Sequence, residues 1–170
     1  VFNGEIYNYL ELRATLAAVG AKFVSDGDTG VLLAAWEHYG LASLSLLEGM
    51  FAIAIFDRER GVLTLARDRY GMKPLYYREA AGHFFFASEA PVASQMAGQN
   101  VINHQKVYEY LALGLYDTSS ETFFEGVSAL PPGGLLEVSI RDARQDHLLT
   151  YWHQPKLLDE ADVSYTDAVD

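Results

Sequence analysis

Apolar positions along the chain follow a helical rhythm first and a series of short β-type runs afterwards. Tyr9, Leu10, Leu12, Leu16, Ala17 and Val19 recur at mixed three and four spacing, and Gly20 follows as a stop, so the pattern predicts a helix from about Asn8 to Val19. Ala21 to Val24 reads as a short strand. The turn Ser25-Asp26-Gly27-Asp28 then places Asp28 to cap a second helix, Thr29 to Tyr39, which Gly40 ends. Four β-rich runs come next, Met50 to Asp57, Val62 to Asp68, Pro74 to Arg78 and His83 to Ser88, and their short connections predict antiparallel pairing. In the first of these, Phe51, Ile53 and Ile55 alternate with Ala52, Ala54 and Phe56. All six are apolar, which predicts a strand buried on both faces and a sheet covered on both sides. A third helix is predicted over Gln105 to Leu113, followed by strands Thr122 to Val127 and Leu135 to Ile140 around the turn Pro131-Pro132-Gly133-Gly134. The stretch from Asp142 to Asp162 is polar, contains Pro155 and reads as a linker, and no internal repeat interrupts the pattern.

Composition narrows this picture. The 170 residues are 50% hydrophobic and 13% aromatic, enough for one sizeable core with a small appendage. The longest apolar candidate, Met50 to Phe56, is strand-sized and far short of the ~20 residues a membrane helix needs, so no membrane partner is expected. Twelve basic residues against 23 acidic ones give a net charge of -11, which opposes phosphate binding and argues against nucleic acid as a partner. No cysteine is present, which removes disulfides and cysteine-based metal sites, and no export signal precedes the first helix; the expected address is cytoplasmic. The five histidines, His38, His83, His104, His147 and His153, show no metal-ligand spacing. The ends read as cuts: the chain opens at Val1 inside a strand, and Asp167-Ala168-Val169-Asp170 looks like a helix beginning.

Asn3-Gly4-Glu5 on its own is a common turn tripeptide. Its surroundings change that reading. Val1-Phe2-Asn3-Gly4-Glu5-Ile6-Tyr7-Asn8-Tyr9 followed by Glu11-Leu12-Arg13 resembles the signature of class II glutamine amidotransferases of the asparagine synthetase type. Four further segments resemble that family in order: Ser25-Asp26-Gly27-Asp28-Thr29, Leu47 to Ala52, Ala66 to Tyr77, and Phe86-Ala87-Ser88-Glu89. Downstream, Tyr110 to Gly114, Thr122 to Gly126 and Leu130 to Gly133 resemble the region that joins the glutaminase half to the synthetase half in asparagine synthetases.

The resemblance implies an α+β fold, an incomplete N-terminal nucleophile hydrolase αββα sandwich with antiparallel sheets. It implies residues 1–141 as a partial amidotransferase domain, 142–162 as the linker and 163–170 as the start of the synthetase domain. It also implies chemistry. In this family an N-terminal cysteine attacks the glutamine amide, and the resulting oxyanion needs preorganised donors. By resemblance the Asn3 side chain and the Gly4 backbone N–H are those donors, while Glu5 and Asp28 face the α-ammonium group of glutamine. The cluster Arg67, Asp68, Arg69 and Lys73 is read instead as an ion-pair network holding a turn, because no glycine-rich nest accompanies it.

The resemblance is partial. The family's cysteine and the arginine that grips the glutamine carboxylate are missing, as is the ATP-binding loop, and Gly30 replaces an acidic residue in the first turn of the second helix. The segment alone is therefore expected to be inactive and to use no cofactor, with ATP and magnesium belonging to the synthetase domain. The implied partners are glutamine and that domain, and a homodimer is left open. Two alternatives also stay open: the amidotransferase half of another ATP-dependent amide-forming enzyme, and a catalytically silent scaffold.

Overall fold

The computed structural model describes residues 1–23, 25–98, 100–140 and 144–153, with backbone alone for 144–147. The proposed start of a synthetase domain at 163–170 lies outside the described residues. The chain enters on strand β1 (Phe2–Ile6), forms helices α1 (Tyr9–Ala18) and α2 (Asp28–Tyr39), and turns through a 3-10 segment, Gly40–Ala42, into the short α3 (Ser43–Leu46). Strands β2 (Gly49–Asp57), β3 (Val62–Arg67), β4 (Tyr76–Ala80) and β5 (His83–Ala87) follow. Helices α4 (Ala90–Met96) and α5 (His104–Leu113) precede β6 (Ser128–Ala129), β7 (Gly134–Ser139) and β8 (Arg144–Thr150).

The strands form two antiparallel sheets, one of five strands in the order β1-β2-β3-β7-β8 and one of three in the order β5-β4-β6. The doubly apolar β2 explains how they stack. Phe51 and Ile53 join Ile6, Leu12, Leu16, Val31 and Leu44 in a core between the five-stranded sheet and the helices. Ala52 and Ala54 face the other way and join Leu65, Leu136, Val138, Leu75, Tyr77 and Leu130 between the two sheets. The small alanines let the second sheet approach closely, and α4 packs on β4 and β5. A buried leucine in either core contributes about 1.5–3 kcal/mol, and this alternation makes β2 the strand that holds three layers together.

Several local expectations change. Ala21–Phe23 has no regular structure, and Val24 lies outside the described residues. The strand predicted over 122–127 is instead a loop with one isolated bridge, Ile102 to Phe124. There the Thr122 hydroxyl donates to the carbonyl of Val127 at 3.0 Å and accepts from Phe124 N–H at 3.2 Å, so a side chain takes the place of a ladder. Residues 144–150, placed by the sequence in a linker, pair with β7 and extend the large sheet. Helix α5 is turned so that its buried residue is Lys106, whose Nζ donates to Glu109 at 2.8 Å and to Thr118 Oγ1 at 3.1 Å.

The charge cluster after β3 is a corner where the chain leaves one sheet for the other. It does not form the expected ion pairs: among the described residues the salt bridges are Arg13–Asp26, Arg60–Glu137 and Lys106–Glu109. Asp68, 1% exposed, accepts instead from the backbone N–H groups of Phe51, Tyr70, Met72 and Lys73 at 3.2, 3.1, 2.8 and 2.9 Å. The Arg67 guanidinium donates to the carbonyls of Lys73, Leu130 and Gly71 at 2.8, 2.7 and 2.7 Å. Asp68 and Arg67 thus bind turns of backbone rather than each other, because a tight turn leaves amide groups that no ladder satisfies.

Candidate functional site

Strand β1 is an edge of the large sheet, and its register fixes what it offers to the outside. Val1 and Ala54 exchange two backbone hydrogen bonds, 2.7 and 2.9 Å long, and Tyr7 N–H donates to the Glu48 carbonyl at 2.7 Å. In an antiparallel ladder bonded pairs alternate with non-bonded ones. Asn3 and Glu5 therefore bond to β2, while the backbone N–H groups of Phe2, Gly4 and Ile6 project from the open edge. Ile6 shows the result directly, since its N–H donates to Asp28 Oδ2 at 3.1 Å. Gly4, two residues earlier, presents its N–H in the same direction.

Glycine at position 4 is required by the fold. With φ at +151°, a Cβ there would lie 2.1 Å from the Met50 carbonyl oxygen and 2.7 Å from the Phe51 Cα. Gly49 on the partner strand mirrors it, with a Cβ placed 2.1 Å from the Glu5 carbonyl oxygen. The two strands meet closely at both glycines, and only the absence of a side chain permits it.

The side chains of Asn3 and Glu5 lie two residues apart on one face of β1. Asn3 pairs across the ladder with Ala52, whose side chain faces the second sheet, and Asn3 Nδ2 reaches the Ser88 hydroxyl oxygen at 3.4 Å. Asn3 and Glu5 are both exposed. Asp28 is the first residue of α2 rather than its cap: Gly27 holds the cap position, without a side-chain bond, and the Asp28 carboxylate turns to Ile6 on β1. The sequence placed the helix one residue too late because Asp28 resembles a cap in type and position. The structure thus brings Asp28 to the end of the strand that carries Asn3, Gly4 and Glu5. Asn8 locks the start of α1 beside them, donating to the Leu46 carbonyl at 2.9 Å and accepting from Glu48 N–H at 3.0 Å.

One concavity adjoins this edge and a second lies farther from it. A cavity of about 150 Å³ opens between the sheets, lined by Asn3, Ala52, Leu75, Phe86 and Ser88 among others. A larger one of about 820 Å³ lies beyond Ser88, between the corner after β3 and the loop that follows α5. The larger cavity is not where the candidate chemistry sits. Its cations, Arg67 and Lys106, are already bound to carbonyls and to Glu109, whereas the smaller one holds the carboxamide of Asn3 at an open strand edge. Ser88 belongs to the Phe86-Ala87-Ser88-Glu89 segment, whose resemblance to the family assigns the serine no role; its place opposite Asn3 comes only from the fold.

Behind the site, Tyr151 donates its hydroxyl to the Arg67 carbonyl at 2.9 Å. Burial pushes this phenol up from its ordinary range, and the nearby Asp68 carboxylate adds to the shift. Among the described residues no group of three or more histidine, aspartate or glutamate side chains is placed to hold a metal ion.

A family model described as a glutamine amidotransferase domain matches residues 1–152. The chain is 49% identical over 106 residues to asparagine synthetase [glutamine-hydrolyzing] 1 of Bacillus subtilis, covering 62% of this chain and 16% of that protein. It is 41% identical over 138 residues to a putative asparagine synthetase [glutamine-hydrolyzing] of Mycobacterium tuberculosis, covering 78% of this chain and 21% of the relative. Its fold is similar to that of a glutamine phosphoribosylpyrophosphate amidotransferase from B. subtilis, with a TM-score of 0.60 at 21% identity over 86% of this chain and 28% of that one. The chain thus spans about a fifth of the length of the curated relatives it matches, and the likeness extends to an incomplete N-terminal nucleophile hydrolase fold.

Proposed function

The chain belongs to the glutamine amidotransferase domain family, and from that premise we propose that the open edge of β1 holds glutamine and stabilises the oxyanion formed when its side-chain amide is cleaved. The observation that carries this reading is the register of β1, which aims the Gly4 N–H out of the sheet beside the Asn3 carboxamide. Two such donors lower the energy of a tetrahedral intermediate because they are in place before charge develops. Glycine at position 4 lets the substrate come close to that N–H. Glu5 and Asp28 supply negative charge for the α-ammonium group of glutamine; Asp28 Oδ2 accepts from Ile6 N–H at 3.1 Å and Oδ1 from the Thr29 hydroxyl at 3.5 Å, which orients the carboxylate, and a carboxylate oxygen can accept a second donor from the ligand.

The 170 residues include no cysteine, so in this proposal the attacking group comes from elsewhere in the protein and this segment binds and polarises the substrate. The parent reaction fitting the names of the similar proteins is synthesis of asparagine from aspartate, with glutamine as nitrogen donor. ATP and magnesium would serve the part that activates the acceptor, and no residue of this chain is assigned to them.

The test is made in the full polypeptide. Asn3→Ala is expected to lower glutamine-dependent synthesis by about 10²–10³ while synthesis supported by ammonia persists. Equal loss of both rates rejects the proposal. Asp28→Asn keeps an oxygen for Ile6 N–H but removes the charge, so the KM for glutamine should rise with kcat little changed. An unaltered KM removes Asp28 from the binding site.

A further inference from the structure

The carboxamide of Asn3 can present two different faces, because its last torsion is broad and roughly two-fold. With the nitrogen toward the substrate oxygen the group stabilises an oxyanion; with its own oxygen there it repels one. Asn3 is exposed on an edge strand, so the packing around it does not decide between the two. The hydrogen bond from Asn3 Nδ2 to Ser88 Oγ, at 3.4 Å, reaches across from the opposite wall of the cleft. Ser88 stands directly after β5, whose Ala87 is paired with Tyr76 on β4, and directly before Glu89, the cap residue of α4. The hydroxyl is therefore carried by backbone tied down on both sides.

We propose that Ser88 is a positioning residue: its hydroxyl accepts one Nδ2 hydrogen of Asn3 and holds the carboxamide so that the second hydrogen stays available to the oxyanion. This rests on the glutamine-cleaving reading above. The bond is long and exposed, so its effect is felt in the orientation of Asn3 rather than in stability. It also couples the two sheets at the mouth of the cleft, so that the donor is in place only when β1 and β5 face each other correctly.

The test is a double-mutant cycle on glutamine hydrolysis in the full polypeptide. Ser88→Ala should lower kcat about fivefold, the typical worth of one hydrogen bond, while the KM for glutamine moves less than about twofold. Ser88→Thr, which keeps the hydroxyl, should retain most of the rate. In an Asn3→Ala background Ser88→Ala should have no further effect. A similar loss in both backgrounds, or an unchanged kcat for Ser88→Ala beside a sharp loss for Asn3→Ala, overturns the positioning role and leaves the glutamine reading intact. If Asn3→Ala itself loses nothing, the glutamine reading falls and this proposal falls with it.

Discussion

Replacing Asp68 by asparagine isolates the interaction that braces the site from behind. The carboxylate is 1% exposed and accepts four backbone N–H groups, two on each oxygen: Phe51 and Lys73 on Oδ2, Tyr70 and Met72 on Oδ1. An asparagine has one oxygen, so in either orientation it keeps two of these bonds and turns its NH₂ toward the other two donors. Each bond to a charged acceptor is worth about 1.5–3 kcal/mol, and a buried donor left unpaired carries a further penalty. Two lost bonds therefore cost about 4 kcal/mol, a large part of the about 5–15 kcal/mol that holds a domain together. With a urea slope of about 2 kcal/mol/M, the unfolding midpoint should fall by about 2 M. Asp57→Asn is the control, because there a single oxygen, Oδ1, accepts both Glu59 and Arg60 N–H at 2.9 Å and asparagine can do the same. Its midpoint should move by less than about 0.3 M. A fall below about 0.5 M for Asp68→Asn would refute the claim that four amides depend on this carboxylate. Function should follow stability here, since Phe51, bound by Asp68, is the register partner of Gly4.

Two further outcomes follow from the same structure. Gly4→Ala would place a methyl 2.1 Å from a backbone oxygen that cannot rotate away, so β1 must move off the sheet; a loss of about 2 kcal/mol, read as a Tm lower by about 4–8 °C, should accompany faster hydrogen exchange of the β1 amides, and exchange unchanged from the parent would contradict it. Burial raises the phenols of Tyr76, Tyr77 and Tyr151, so the folded state resists their ionisation more than the unfolded state, whose tyrosines titrate near pH 10.0. Their contribution is complete below that pH and is lost as pH rises above it, so unfolding free energy should decline above about pH 10, and less steeply in Tyr151→Phe, by at most about 1.4 kcal/mol per pH unit. Equal slopes in the two proteins would show that Tyr151 is not held neutral by the fold.

The parts of the fold legible in the sequence are those whose pattern is set by burial. Leu12 and Leu16 mark the inner face of α1, and the unbroken apolar run Phe51 to Phe56 predicts a strand with a core on each side, which holds over Phe51 to Ala54 while Phe56 is exposed. What the pattern did not show was set by polar groups meeting backbone. Nothing in Asp68 or Arg67 as residue types distinguishes a partner of opposite charge from a set of turn amides and carbonyls. Only the change of sheet at this corner creates those unsatisfied groups. Thr122 is a similar case, a β-favouring residue whose hydroxyl is used up by a local turn. The strand β8 was hidden for the opposite reason: its pairing with β7 supplies the order that its polar sequence does not advertise.

The site was legible as residues and not as geometry. Resemblance named Asn3, Gly4, Glu5 and Asp28, but whether an N–H of β1 points into the sheet or away from it depends on a one-residue choice of register that no motif contains. Two distant contacts make that choice. Val1 bonded to Ala54 and Tyr7 bonded to Glu48 put both ends of β1 in the same phase, and the close approach of backbone at Gly4 and Gly49 leaves no room for a slip that would bring a side chain there. Asp28 then occupies the outward N–H of Ile6, two residues beyond Gly4. With Ile6 taken and Phe2 displaced toward the other end of the strand, the outward amide that stands beside the Asn3 carboxamide is the one at Gly4. The glycine that the close strand approach demands thus also supplies the outward N–H on which the proposed oxyanion site rests.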